Sequence, residues 1–254
     1  MLLNNVSAIV TGGGSGLGAE TARMLANDGA KVAVLDRNME AAQAVAQSIG
    51  GIACECDVAN EASVSLALGT ANMANGVARI LVNCAGVLGA GRILSREGPM
   101  ALDAFEQVLR VNLVGTFNVM RLAAQAMSTV PEWGEAKERG VIINTASIAA
   151  YEGQTGQAAY AASKGGVVSL TLPAAREFAK FGIRVNAIAP GPVDTPMVAG
   201  MTPEVRASLE ATIPFPARLI RPEEFASLVK HIIENSAING EVIRLDGAMR
   251  MAAK

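Results

Sequence analysis

Tyr160 and Lys164 stand four residues apart in Tyr-Ala-Ala-Ser-Lys, a spacing that places both side chains on one face of a helix. Such a pair can move a proton. A free phenol titrates near about 10 and is a poor base at neutral pH, but an adjacent ammonium and an oxidised nicotinamide ring both favour phenolate. Ser147 lies where an apolar run ends, at the carboxyl end of an expected strand, so its hydroxyl can hold a substrate oxygen while Tyr160 exchanges its proton. Asn112, in Arg-Val-Asn-Leu on a long helical stretch, is placed to hold a water linking Lys164 to solvent. Each residue alone has a plainer role: a strand-end turn for Ser147, a buried helix polar for Asn112, a surface pair for Tyr160 with Lys164. Their combination points to proton transfer.

A second constellation is Thr11-Gly-Gly-Gly-Ser-Gly-Leu-Gly18, between a strand-like run and a helical one. Gly12, Gly16 and Gly18 answer three needs of a pyrophosphate loop: positive φ in the turn, close backbone approach to phosphate, and tight helix packing on the sheet. Ser15 and Leu17 between them belong to the same expected contact set. Asp36 lies 20 residues past Gly16, where a carboxylate accepts hydrogen bonds from the adenosine ribose. Its charge would repel a 2′-phosphate, so NAD is preferred over NADP, although the neighbouring Arg37 could pair with that phosphate. Asp57 and Val58 are placed to reach the adenine edge, with a turn or helix-capping role equally open to Asp57. Asn83, Ala85 and Gly86 are expected to line the pocket.

The elements that must position these residues are short apolar runs at 6–11, 31–36, 52–57, 80–83, 141–145, 184–189 and 242–245. They lack the strict polar alternation of a half-wet sheet, and the segments between them show helical periodicity. The expected fold is α/β: one Rossmann-like doubly wound domain over 1–254, with a seven-stranded parallel sheet and helices on both faces. The longest crossovers are 102–127 and 158–181. The stretches 87–101 and 129–140 fit no simple crossover, and loops of that kind often carry function. A lid over about 190–216, with Gly191 and Gly200 as candidate hinges, would exclude water, with Met197, Val198, Met201 and Phe215 forming either an apolar pocket wall or a packed subunit surface.

Composition narrows the alternatives. The 254 residues carry 21 Lys and Arg against 23 Asp and Glu, so no basic field is available to grip nucleic acid or an anionic membrane. Mean hydropathy is +0.33, yet no run of 18 apolar residues occurs. With a single histidine, His231, a multi-histidine metal site is excluded, and no metal is expected. Cys54, Cys56 and Cys84 read as reduced, packed thiols. The start of the chain lacks the pattern of a secretory signal, so a cytoplasmic location is expected.

In combination these motifs resemble the short-chain dehydrogenase/reductase family over essentially the whole chain. Thr11-Gly-x-x-x-Gly-x-Gly18, Asn83-x-Ala-Gly86, Asn112, Ser147, Tyr160-x-x-x-Lys164 and Pro190-Gly191 with Thr195 occur in the family's order. Cys84 departs from it, where many members have a second Asn. The resemblance implies a catalytic tetrad of Asn112, Ser147, Tyr160 and Lys164. Tyr160 and Lys164 would also touch the cofactor, and Pro190, Gly191, Thr195 and the backbone near Val193 would hold the nicotinamide carboxamide. It further implies a homotetramer built through the two longest helices. The segments 140–147, 152–160 and 239–247 resemble the type-2 3-hydroxyacyl-CoA dehydrogenase branch, also known for oxidising hydroxysteroids. That implies an acyl-CoA thioester substrate, NAD, and fatty-acid or branched-chain breakdown. Hydroxysteroid or other secondary-alcohol oxidation, a catalytically silent dinucleotide-binding scaffold, and an NADPH-dependent ketoacyl reductase are the rival readings, the last disfavoured by Asp36.

Overall fold

The computed structural model describes residues 1, 3–196, 198 and 200–253. Seven strands form one sheet: β1 (Ser7–Thr11), β2 (Lys31–Asp36), β3 (Ile52–Glu55), β4 (Ile80–Asn83), β5 (Gly140–Thr145), β6 (Ile183–Pro190) and β7 (Val242–Leu245). Their order is β3-β2-β1-β4-β5-β6-β7, and every pairing is parallel. The chain winds outward from β1 to β3, then returns to the other side of β1 with β4. A crevice therefore opens where β1 and β4 diverge, at their carboxyl ends.

Why these runs pair in parallel follows from their side chains, which are apolar on both faces. In β1, Ala8 and Val10 enter one core and Ile9 the other; in β4, Ile80 and Val82 oppose Leu81; in β5, Val141 and Ile143 oppose Ile142. Both faces need cover. The helices α1 (Gly16–Asn27), α2 (Met39–Ser48) and α8 (Pro222–Glu234) supply it on the first face, through Leu25, Val45, Phe225, Val229 and Ile232 among others. The second face is covered by α3 (Glu61–Asn75), α5 (Thr116–Met127) and α6 (Ala158–Ala179), with α4 (Leu102–Leu109) preceding α5 and the short α7 (Pro203–Glu210) lying between β6 and α8. Among the described residues no helix is long and apolar enough to cross a membrane.

Three expectations need correction. The third strand ends at Glu55, not 57, because Asp57 turns the chain: its amide donates to Ser63 Oγ at 2.9 Å and its carboxylate accepts from Ala59 N at 3.0 Å. Asn60, not Asp57, caps α3, accepting from Ser63 N. The crossover 102–127 is not one α-helix, since a π-helical turn, Arg110–Gly115, separates α4 from α5. The stretch 129–140 carries a structural tie. There Trp133 and Glu138 exchange backbone hydrogen bonds of 2.8 and 3.1 Å, which delivers the buried Glu138 carboxylate to Arg184 at 2.6 Å. Arg184 in turn donates to the carbonyls of Ile232, Ile233, Asn235 and Ile238, satisfying the open end of α8. The other irregular stretch, 87–101, folds into a small hairpin of Leu94–Ser95 against Gly98–Pro99.

Candidate active site

The glycine loop leaves β1 and enters α1 across the crevice. Gly12 has φ +63°, and a Cβ there would lie 2.7 Å from Ala85 N and Cα, so side-chain-free backbone is required for the β1 and β4 loops to pass. A Cβ on Gly18 would run into the Gly12 carbonyl oxygen. Ser15 precedes α1 in extended conformation and its side chain caps nothing. The amides of Gly16, Leu17 and Gly18 therefore have no intrahelical acceptor and stand at the positive end of the helix dipole. Asp36 braces this loop, its two carboxylate oxygens accepting from Gly14 N and Asn38 N, both at 2.9 Å. Each oxygen keeps a free lone pair for a ribose hydroxyl.

On the far side of the crevice, Gly191 donates its amide to Leu245 O at 2.9 Å and lies against Asp246, where a Cβ would come within 3.1 Å. Gly191 is thus packed in place. Thr195 reaches back over the loop, its Cγ2 3.3 Å from where a Gly16 Cβ would be. Val193 pairs with Ile220, and Asp194 is held by Arg206 through a forked ion pair of 2.6 and 2.9 Å. A cradle that side chains would fill, open helix amides, an acid at the end of β2 and a hydroxyl facing the loop fit a dinucleotide. Pro190 ends β6 beside them.

Asn83 and Val58, both expected against the cofactor, have buried side chains with partners inside the protein. Asn83 Nδ2 donates to Asn144 Oδ1 at 2.9 Å and its Oδ1 accepts from Thr11 Oγ1 at 3.3 Å, so it ties β1, β4 and β5 together. Val58 is wedged against Gly115, where a Cβ would meet its Cγ2 at 2.6 Å, and its carbonyl accepts from Asn118 Nδ2.

The four proposed chemical residues converge from three elements. Ser147 ends the segment after β5, its Oγ accepting from Ala149 N at 3.1 Å. Tyr160 and Lys164 rise from the first turns of α6, with the ammonium 5.8 Å from the Tyr160 ring centroid. Lys164 is buried, and its Nζ donates to Thr145 O at 2.7 Å. Burial pushes its pKa down to about 8. Burial also pushes the Tyr160 phenol above its ordinary value, partly offset by the Ser147 hydroxyl. Sequence reasoning expected the Lys164 ammonium to lower that phenol; in the protein alone desolvation dominates.

Asn112 sits in the π turn, with Oδ1 accepting from Val87 N at 2.8 Å while Nδ2 donates to Val87 O and Ser163 Oγ at 2.9 and 3.0 Å. Its side-chain amide thereby fixes the loop after β4. Gly86 lies between Asn112 and Lys164, 3.2 Å from Oδ1 and 3.6 Å from Nζ measured from its Cβ position. Sequence reasoning missed Thr11, Thr145, Asn144 and Ser163, whose only signal was their polarity within apolar strands or beside the Tyr-Lys pair.

A family model described as short chain dehydrogenase matches residues 6–206. The chain is a short-chain dehydrogenase. As a member of that family it is an oxidoreductase with a small-molecule substrate and a nicotinamide dinucleotide cofactor. This short-chain dehydrogenase is similar to 3-hydroxyacyl-CoA dehydrogenase type-2 of Bos taurus, at 48% identity over 96% of this chain and 95% of that one. It is also similar to the Drosophila melanogaster protein of the same name, at 46% identity over 98% and 99%. The crystal structure of 3-hydroxyacyl-CoA dehydrogenase type-2 from Mycobacterium avium superposes with a TM-score of 0.92 at 44% identity, covering 98% of each chain.

A groove of about 480 Å³ runs between the hairpin and the start of α6, lined by Arg92, Ile93, Leu94, Gln154, Thr155, Gly156 and Ala158. The bond from Gly91 N to Gly156 O, 2.8 Å, fixes its two walls together. Val198 packs on Ile148, Ile213, Leu219 and Met249, whereas Phe215 is 83% exposed and forms no wall in this conformation. Met197 lies outside the described residues.

Proposed function

We propose that this short-chain dehydrogenase uses NAD to interconvert 3-hydroxyacyl-CoA and 3-oxoacyl-CoA thioesters. The observation that carries the chemistry is the convergence of Ser147, Tyr160 and buried Lys164 at the carboxyl ends of β5 and α6's first turns, beside the dinucleotide cradle. When bound, the nicotinamide supplies or accepts the hydride. Ser147 holds the substrate oxygen, and Tyr160 takes its proton in oxidation or returns one in reduction. Lys164, desolvated against Thr145, favours phenolate whenever it carries charge. Asp36 selects the unphosphorylated ribose. The groove supports the thioester reading: apolar Ile93 and Leu94 suit an acyl or pantetheine chain, and Arg92, exposed and without an acidic partner among the described residues, suits an anion. The names of the similar proteins agree with it. The same reading has the chain assemble as a tetramer through α5, the π turn and α6, whose exposed Val114, Phe117 and Leu172 suit an interface.

The test is the initial rate of NADH oxidation with acetoacetyl-CoA, run beside NADPH and beside Tyr160→Phe. Turnover with NADH, weaker with NADPH, and reduced about a thousandfold in the variant is the expected outcome. A folded, NADH-binding protein that ignores the thioester would overturn the substrate assignment.

A further inference from the structure

We infer that Glu152 and Arg244 are positioning residues that set the separation between the substrate wall and the nicotinamide wall of the site. Glu152 lies five residues after Ser147 and eight before Tyr160, in the loop whose next residues line the groove. Arg244, on β7, holds its carboxylate in a fork of 2.6 and 2.9 Å. The same guanidinium donates through Nε to Asp246 at 2.6 Å. Asp246 is the residue against which Gly191 packs, at the start of the segment leading to Thr195. Arg244 therefore grips two carboxylates, one from each wall, and the more exposed Arg250 reaches the same two at longer range, 3.6 Å from Glu152 Oε1 and 3.4 Å from Asp246 Oδ2.

The surroundings make this a fixed joint. Asp246 is buried and also accepts from Ala248 N at 3.0 Å; Arg244 additionally donates to Met249 O at 3.0 Å and lies 5.3 Å from the Tyr151 ring centroid. The segment beyond β7 closes over the loop, with Thr155 N donating to Ala253 O at 3.0 Å and Gln154 Nε2 to Ala252 O at 3.1 Å. None of these groups touches the glycine loop or Asp36, so the adenine half of the cofactor site does not depend on them. A planar fork can satisfy both carboxylates at once, whereas the point charge of a lysine cannot. Releasing the Glu152 side should loosen substrate placement while leaving cofactor affinity intact.

This inference rests on the carbonyl-reducing reading above. Glu152→Gln and Arg244→Lys are compared with the parent enzyme in steady-state reduction of acetoacetyl-CoA, NADH titration by fluorescence, and thermal unfolding. For Glu152→Gln the expected result is a KM for the ketone raised about tenfold, kcat lowered less than about threefold, and an unchanged NADH Kd. Arg244→Lys should raise KM at least as far, and the double variant should be no worse than the poorer single, because both break one joint. Unchanged KM in both singles, or KM, NADH Kd and melting temperature all deteriorating together, would overturn the inference. If the parent enzyme reduces some other ketone but not the thioester, the substrate reading has failed, and the same split measured with that ketone decides the positioning role.

Discussion

Replacing Lys164 with methionine should make the protein's stability respond to pH in a way that reports the desolvation of one ammonium. In the folded chain Lys164 is held at about 8 by burial, against an ordinary value of 10.5. For a cation depressed in the folded state, the folded form binds its proton more weakly than the unfolded form. The penalty is complete below pH 8, shrinks as pH rises from 8 to 10.5, and is absent above that. At pH 7 the shift corresponds to about 3 kcal/mol of lost stability, and at pH 9.5 roughly 1 kcal/mol of that loss remains. Wild type should therefore gain about 2 kcal/mol on Lys164→Met between these two pH values. The variant also leaves Thr145 O without its 2.7 Å donor, which costs about 1–2 kcal/mol. That cost is the same at both pH values and cancels in the difference. Urea unfolding of both proteins at pH 7 and 9.5, without added nucleotide, is the assay. Parallel pH profiles for wild type and variant would refute the claim that Lys164 is stored as a penalised charge.

Two further outcomes test the scaffold. Gly18→Ala should weaken NADH binding more than about thirtyfold by fluorescence titration and lower stability by about 1–3 kcal/mol, because the new methyl must push the Gly12 carbonyl, and with it the phosphate cradle, aside. Glu138→Ala should cost about 3–5 kcal/mol in chemical denaturation, since it strands the buried Arg184 guanidinium, while NADH affinity stays within about twofold because the pair lies beneath the opposite ends of the strands.

The sheet was legible in the sequence because each strand is covered on both faces and so reads as an unbroken apolar run; all seven were located, three with the expected ends and four with an end moved by one or two residues. The third strand was drawn too long because Cys56 continues the alternation of Cys54 and Glu55, while the turn is dictated by side-chain bonds of Asp57 and Ser63 that no periodicity reveals. The glycine loop and the Tyr-Lys pair were legible for a different reason: their spacing is itself the geometry. What remained hidden were long-range polar ties. Asn83 looks like a pocket residue in sequence, yet its partner Asn144 lies 61 residues away. Glu138 looks like part of a charged loop, yet it answers Arg184 across 46 residues. The Glu152–Arg244 joint spans 92. Such partners share no local pattern, and only the fold brings them together.

The π turn at Arg110–Gly115 carries a consequence for how this chain could change over time. Each half of the interrupted helix keeps its own buried face, and the wide turn absorbs one extra residue between them, so that both faces meet the protein while the Asn112 amide reaches Val87. Removing one residue here would let ordinary helical winding run through with little change of phase, because a π turn holds about one residue more than an α turn. Val119, Met120 and Met127 would keep their places in the core, whereas Asn112 would lose the widened turn that aims it at Val87. A single-codon deletion would thus spare the fold and cost the loop after β4 its anchor, separating stability from activity in one event.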